Sequence, residues 1–490
     1  MSHLKHIRVI APLTVFLVIL IAVASVGDGL ARAASLVQVS SIDPYASCSI
    51  TGQPGTNYPD AEVEPWVAVN PNNTSNIIGV WQQDRWSNGG ARGLVAGVST
   101  DGGSSWTQVP LPFSQCAGGL DFQRASDPWV SFGPDGTAYA VSISFDRTDN
   151  KNAVGAATST DGGQTWNHLQ TIVSYTSNGG QFITDKESVT ADPGKAGNAY
   201  TVWDTLVAPT DNPDDNPHTR AFTGDAYFSK TTNGGTTWST PKVIVHTTQN
   251  TQTIGNQVVV DPKTGTLYDY FDLILHPTNK PFNVAFVKST DGGSTWTQPQ
   301  IISKLGTVFV TDPNTGQAIR TGDIIPEPAI DPKTGQLYVV WQDARFNGGH
   351  FDEVALSTST DGGANWSAPI QVNTKTPSNR PGFTPAIYVN SAGVVGVTYY
   401  DFRSLTTETA TLPTDYWFRP VTPISGGLSL GSETHITGPF DMLTAPFASG
   451  FFVGDYEGLT AVGTTFHPFF VQANSGNTSN RTDVFTTSIP

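Results

Sequence analysis

The chain has 490 residues, and 41 Asp and Glu against 25 Lys and Arg give it a formal net charge of −16. Such an excess of carboxylates repels a polyanion and excludes nucleic acid as a partner. Strand-forming residues punctuated by Gly, Pro and Thr, with no helical period after the N-terminal segment, exclude a helical bundle and predict an all-β chain.

Residues 1–33 read as an export signal. Lys5 and Arg8 precede an apolar run from Val9 to Val26, and Ala31-Arg32-Ala33 has the form of a cleavage site. Pro12 and that motif favour removal, which makes the mature protein secreted and extracellular. The run is also long enough for an uncleaved N-terminal anchor. No later stretch is apolar enough to span a bilayer, so no membrane partner is expected after cleavage. Residues 34–60 form an N-terminal arm that carries a strand-like segment, Ser35 to Ile42. Cys48 and Cys116 are the two cysteines. In an exported chain they form one disulfide or remain two thiols, and two such widely spaced sulfurs do not make a metal site.

From residue 61 to 490 the chain repeats. Seven apolar strand starts occur at Glu64, Asp127, Glu187, Asn256, Glu327, Thr384 and Glu457. Each is followed by a second strand, as in Leu337-Tyr-Val-Val-Trp. The prolines in Glu64-Pro65 and Asp127-Pro128 predict an extended entry into these strands. Between third and fourth strands an eight-residue turn recurs, first as Ser99-Thr100-Asp101-Gly102-Gly103-Ser104-Ser105-Trp106. It returns ending at Trp166, Trp238 (with Asn233 for the Asp), Trp296 and Trp366. Asp followed by glycines is hairpin chemistry, because Asp bonds nearby amides and Gly takes positive φ without strain. Unit six keeps only a degenerate turn at Ser425-Gly426-Gly427. Unit seven ends after three strands, and the segment from Ser35 to Ile42 is expected to supply the fourth, which removes an exposed edge. The expected fold is therefore one seven-bladed β-propeller.

In such a ring the starts of first strands and the ends of second strands converge on one face, and the turns lie at the outer rim. The converging set contains Glu64, Asp127, Glu187, Glu327 and Asp455-Tyr456-Glu457. It also contains Asp84-Arg85, Asp146-Arg147, Asp343-Ala-Arg345 and Asp401-Phe-Arg403, with Arg124, Arg320 and Arg380 on entering loops. Guanidinium forks suit a carboxylate ligand. The repeated Asp/Arg pairs serve equally well as structural ion pairs between units. The acidic loop from Pro209 to Arg220, with Asp211, Asp214 and Asp215, reads as a solvated lid, with a structural Ca²⁺ site as the alternative. No cofactor or metal is otherwise called for.

The recurring turn is the Asp-box, or BNR repeat, and the chain resembles the sialidase superfamily of propellers over nearly its whole length. That resemblance implies an exo-α-sialidase-like glycoside hydrolase whose partner is a glycan bearing a terminal, including an anionic, sugar, and which acts as a monomer. It implies Tyr456 as nucleophile, Glu327 as its base and Asp127 as the acid. Arg85, Arg345 and Arg403 would form the carboxylate clamp, with Arg147, Arg380 and Glu187 as further substrate-binding residues. Glu327 to Arg345 follows the family's layout of a strand-opening glutamate and a strand-ending arginine. The chain departs from the family where its N-terminal Arg-Ile-Pro motif would fall, at Val63-Glu64-Pro65. It departs again at Trp86-Ser-Asn88-Gly-Gly, where an Asn replaces the expected acid/base Asp, and in having seven repeats where sialidases have six blades. These departures motivate the rival expectation of a non-catalytic propeller that binds a glycan or a protein at the cell surface. A different lyase or hydrolase on the same fold is a third.

Overall fold

The structure, a computed structural model, describes residues 1, 35–149, 151–176, 181–208, 223–275, 282–374 and 380–490. The export signal and the acidic loop from Pro209 to Arg220 lie outside the described residues. The described chain is all-β, with only two short 3₁₀ turns.

Its strand pairings resolve into successive antiparallel units. The first is Glu62–Val69, Ile77–Arg85, Ala91–Ser99 and Thr107–Leu111, and the second is Arg124–Phe132, Ala138–Phe145, Asn152–Ser159 and Asn167–Tyr175. The third runs from Gln181–Ala191 to Lys242–Val245, the fourth from Thr251–Val260 to Gln300–Lys304, and the fifth from Glu327–Ile330 to Ile370–Gln371. In the sixth, Pro413–Ile424 pairs with two segments, Gly427–Leu430 and Thr434–Asp441, so the degenerate turn is a real hairpin and the outer position is shared. The last unit is Gly458–Val462, Thr465–Ala473 and Thr482–Thr486, and Val37–Gln38 from the other end of the chain pairs antiparallel with its outer strand.

Within a unit, burial falls outward. Second strands such as Leu337–Asp343 are buried along their whole length, whereas Asn167–Tyr175 is largely exposed. A strand covered on both faces needs a continuous apolar run, and this is what the sequence supplies. Trp81, Trp203 and Trp341 are fully buried at equivalent places in their second strands. Each indole N–H donates to the side chain two residues on: Gln83 at 2.9 Å, Thr205 at 3.1 Å and Asp343 at 2.7 Å. A large ring thus enters the core without an orphaned donor.

The Asp-boxes are closed hydrogen-bonded turns. Asp101 Oδ1 accepts from Ser99 Oγ at 2.8 Å and from the Ser105 amide at 2.9 Å, while the Gly103 amide donates to Ser99 Oγ at 2.8 Å. Asn233 does the same with its amide oxygen, accepting from Thr231 Oγ1 at 2.9 Å and from the Thr237 amide at 3.0 Å. The box needs an acceptor at this position, and a charge is optional.

Neighbouring units are tied by polar bonds. Ser188 Oγ donates to Asn256 O at 2.8 Å, Gln257 Nε2 to Glu327 Oε1 at 3.0 Å, and the Thr384 amide to Gln342 Oε1 at 2.8 Å. Tyr400 OH donates to Glu457 Oε1 at 2.8 Å, and Thr482 Oγ1 to Glu62 O at 2.7 Å, which joins the last unit to the first. The apolar cluster beneath these bonds runs through Val39, Trp81, Tyr400, Phe469 and Val484.

The expected extended entry into the inner strands is not what forms. Glu64, Asp127 and Thr384, each followed by proline, have φ of 54°, 52° and 46°, as does Lys186 at 48°. All four sit at register shifts, between Val63 and Trp66, Ser126 and Trp129, Asp185 and Ser188, and Phe383 and Ala386. These are β-bulges with a left-handed residue, a conformation that side chains other than Gly adopt only under tertiary constraint. The fourth unit has Gly255 (φ 76°) at the same place.

Cys48 and Cys116 form a disulfide that closes a 68-residue separation and pins the arm to the segment before the second unit. Replacing both by Ser should lower stability by about 2–4 kcal/mol, read from the denaturant midpoint at constant m-value. An unchanged midpoint would show that the arm is held without the bridge.

Candidate functional site

The bulges turn three charged side chains toward one another. Lys186 Nζ lies 3.2 Å from Glu64 Oε1, 2.9 Å from Asp127 Oδ2 and 2.8 Å from Asp455 Oδ2. Arg320 grips the same Asp455 in a fork, with Nε to Oδ1 at 3.1 Å and Nη2 to Oδ2 at 2.6 Å. Gln82 joins Glu64 to Arg85: its amide N–H donates to Glu64, and its Oε1 accepts from Arg85 Nη1 at 2.7 Å. Under this layer Trp66 and Trp129 stack with centroids 3.6 Å apart, and Tyr456 meets Trp129 at 5.1 Å.

Burial drives most of the electrostatics. It pushes the Asp455 carboxyl up, but Arg320 and Lys186 overcome it and hold that group far below the usual carboxylate range. Glu64 has no such fork, so burial and Asp127 raise it to about 8 against the pull of Lys186. Burial and the nearby Arg320 lower Arg85 to about 10, which still leaves it charged at neutral pH. Glu187 is buried, neither of its oxygens accepts a hydrogen bond from another described residue, and burial together with Asp127 raises it strongly.

Beside the cluster opens a cleft of about 830 Å³. Arg85, Asp127, Lys186, Arg320 and Asp455 line it, as do Asn88, Asp146, Arg147 and Asp323. Ile143, Phe145, Ile254, Phe282 and Phe309 supply apolar surface. A concave site with a few convergent polar groups on an apolar lining suits a small polar ligand.

Of the residues expected at the site, Arg85, Asp127 and Arg147 line this cleft, and Tyr456, Glu327, Glu187, Arg345, Arg380 and Arg403 do not. Tyr456 is 3% exposed, and its hydroxyl donates to Pro128 O at 3.4 Å; the carboxylates acting on it are Glu64, Asp127, Glu187 and Asp455, with Glu327 not among them. Glu327 stays in regular register, pairs with Val340 and bonds Gln257. Arg345 is tied to Asp343 at 2.6 Å. Arg403 is tied to Asp401 at 2.5 Å and to Glu433 at 2.8 Å, and it lies 3.6 Å over the Trp417 ring. Arg380 donates to Leu405 O at 3.0 Å. The three arginines expected as one clamp thus do not converge. Two are held by carboxylates of their own units, as the structural-pair reading of the repeats anticipates. Val63 is a core residue packed with Phe452, and the Phe452 ring carries Arg85 at 4.9 Å and Arg320 at 4.3 Å. Asn88 accepts from Arg124 Nη1 at 2.9 Å.

Lys186 and Asp323 are the site residues that spacing did not single out, whereas Arg320 and Asp455 stand in the converging set without an assigned role. A signal existed for Lys186, because it is a cation immediately before the acidic strand start Glu187. Among the described residues no group of three or more His, Cys, Asp or Glu is arranged to hold a metal ion.

No family model matches the chain, and no curated protein matches it either. Solved structures of similar fold include the Penicillium chrysogenum α-L-arabinanase complexed with arabinobiose, at 14% identity over 75% of this chain and 94% of that one, with a TM-score of 0.47. A Hadza microbial sialidase is 14% identical over 84% and 73%, with a TM-score of 0.47. A Trypanosoma rangeli sialidase mutant displaying trans-sialidase activity is 12% identical over 75% and 54%, with a TM-score of 0.45.

Burial raises Glu327 to about 8 although Gln257 donates to it. A carboxyl raised on folding contributes stability that is complete below its unfolded pKa and is lost as pH rises through the folded one. Glu327→Gln is therefore expected to be near-neutral at pH 5 and stabilising by on the order of 1 kcal/mol or more at pH 9. Urea midpoints at the two pH values test this, and an equal shift at both would refute it.

Proposed function

We propose that the seven units are the blades of one propeller closed by Val37–Gln38, and that the protein is an exported hydrolase that removes a terminal anionic sugar from glycans in the cleft at its inner strands. The observation that carries this reading is Arg85. It is 2% exposed and lines the cleft, and it makes no ion pair among the described residues. A buried guanidinium is unfavourable unless a carboxylate or a set of neutral acceptors satisfies it, and Arg85 has Gln82 Oε1 alone as a side-chain acceptor, with its Nε buried and unpartnered among the described residues. Arg345, Arg403 and Arg320 are already engaged, so Arg85 is the cation best placed to receive a sugar carboxylate, with Arg147 on the same lining. Asp127, paired with Lys186 on the cleft lining, is the carboxylate placed to take a proton from attacking water. The apolar residues suit the carbon face of a sugar ring.

A specific observation favours the second reading, a glycan-binding module without turnover. The Tyr456 hydroxyl bonds a main-chain carbonyl and does not line the cleft, which leaves the nucleophile implied by the family resemblance unavailable in this arrangement. Hydrolysis here then relies on direct attack by water.

The two readings separate in one assay. Purified protein is incubated with fluorogenic sialosides, uronides and neutral arabinosides. Release from an anionic sugar, with kcat/KM falling by about 10–100-fold in Arg85→Lys, which keeps the charge and loses the fork, is the expected result. The fall should lie mainly in KM, and the thermal midpoint should be unchanged. Saturable binding of the anionic sugar with no release supports the binding module, and release that ignores Arg85→Lys removes Arg85 from the site.

A further inference from the structure

A carboxyl group outside the Lys186 cluster also lines the cleft. Asp323 lies between the short strand Ile319–Arg320 and the inner strand Glu327–Ile330 of the fifth unit. Three donors reach it: Thr321 Oγ1 at 2.8 Å, Gln342 Nε2 at 3.2 Å and the Val310 amide at 3.3 Å. All three end on Oδ1. Oδ2 accepts none from the described residues, and the residue is partly exposed where it borders the cleft. A carboxyl with one oxygen taken by donors carries its proton on the other, here the oxygen left for a ligand.

The charged groups around it favour keeping that proton. Asp352 accepts from the same Gln342 amide at 3.2 Å, and Asp455 faces it from the loop before the last unit. Arg320, on the strand just before, is turned away onto Asp455, as is Lys186. Burial first, then Asp352, raise Asp323 to about 8, and the Thr321 bond only partly offsets them. At neutral pH it is a neutral acid beside an ionised Asp455, and such a separation of carboxyl pKa values is the pattern of acid catalysis.

We propose that Asp323 is the proton donor of the cleft, a role that rests on the hydrolase reading above. Its Oδ2 proton passes to the glycosidic oxygen as the bond from the anomeric carbon to that oxygen breaks, the electron pair going to the oxygen. Water adds to the anomeric carbon and gives a proton to Asp127. Exchange with solvent then restores both carboxyls. The products are the free sugar and the protonated leaving group.

The test compares wild type, Asp323→Asn and Asp323→Glu on two aryl glycosides of one anionic sugar, one with a leaving group of low pKa and one of high pKa, between pH 5 and 9. A leaving group that departs without a proton does not need the acid. Asp323→Asn should therefore lose about 10²–10⁴-fold in kcat/KM on the poor leaving group and under tenfold on the good one. The wild-type fall in activity above about pH 8 should vanish in this variant, and Asp323→Glu should regain part of the rate. Equal losses on both substrates, or an alkaline fall that persists in Asp323→Asn, would overturn the assignment while leaving the hydrolase reading in place. A wild type that releases neither aglycone overturns both together, so the two failures are distinct.

Discussion

Lys186 is the point on which the central layer depends. Its ammonium is buried with carboxylates from the first unit, the second unit and the approach to the last. A buried cation is tolerable only when surrounded in this way, and removing one partner of such a cluster typically costs 3–5 kcal/mol. Glu64 and Asp455 come from opposite ends of the described repeats, so the cluster assembles only once the last unit lies against the first. The Thr482–Glu62 bond and the pairing of Val37–Gln38 with Phe485 and Thr486 fix that approach independently. The same cluster over-determines the left-handed backbone of Glu64, Asp127 and Lys186. That strain is affordable because each bulge delivers a charge to a place where an opposite charge waits.

How much of this could be read from the sequence follows the range of the forces involved. The Asp-boxes, the hairpin at Ser425–Gly426 and the buried second strands are legible because turn chemistry and apolar runs act over a few residues. Bulges at Glu64 and Asp127 are not, because the preference of a residue before proline for extended backbone is local, whereas the ion cluster that overrides it joins residues of different units, Glu64 to Lys186 across 122 positions. The Glu327 and Tyr456 motifs are legible as strand starts, but which side chains share a cleft depends on the register at each bulge. Glu327 has none and bonds sideways to Gln257; Tyr456 is covered by the layer that Lys186 holds together. The Asp/Arg repeats carry their own explanation. In Asp343-Ala-Arg345 the carboxylate accepts from the Arg345 amide at 2.9 Å and also pairs with its guanidinium, a closed local motif with little left for a ligand.

The N-terminal arm belongs to the site as well as to the fold. Arg124 is fully buried and has no carboxylate partner among the described residues; its N–H groups go to Gln53 Oε1 at 3.0 Å, Pro54 O at 2.7 Å, Asn88 Oδ1 at 2.9 Å and Gly89 O at 2.7 Å. Four acceptors from two segments satisfy a cation that would otherwise be costly to bury. The arm, held at Cys48 by the disulfide, is thereby coupled to the Ser87–Gly90 stretch of the cleft lining. The Asn88 that departs from the family pattern is thus a structural acceptor for Arg124, and no acid at that position is needed if the proton comes from the opposite end of the cleft lining in sequence, at Asp323.

The charge of the whole chain is not the charge of the cleft, whose lining sets Arg85, Arg147, Lys151, Lys186 and Arg320 against Asp127, Asp146, Asp185, Asp323 and Asp455. The chain is acidic as a whole, so at long range it disfavours any anion. That field is carried by exposed carboxylates and is screened over roughly 8 Å at physiological ionic strength. Arg85, Arg147, Arg320 and Lys186 lie on the lining of one cleft, and inside it screening is weak and each charge is worth more. A long polyanion must lie along the acidic exterior and gains little from four inward-facing cations. A small anion inside the cleft can reach Arg85, which makes no ion pair among the described residues. A small anion that enters the cleft therefore meets a lining without the acidic excess of the whole chain.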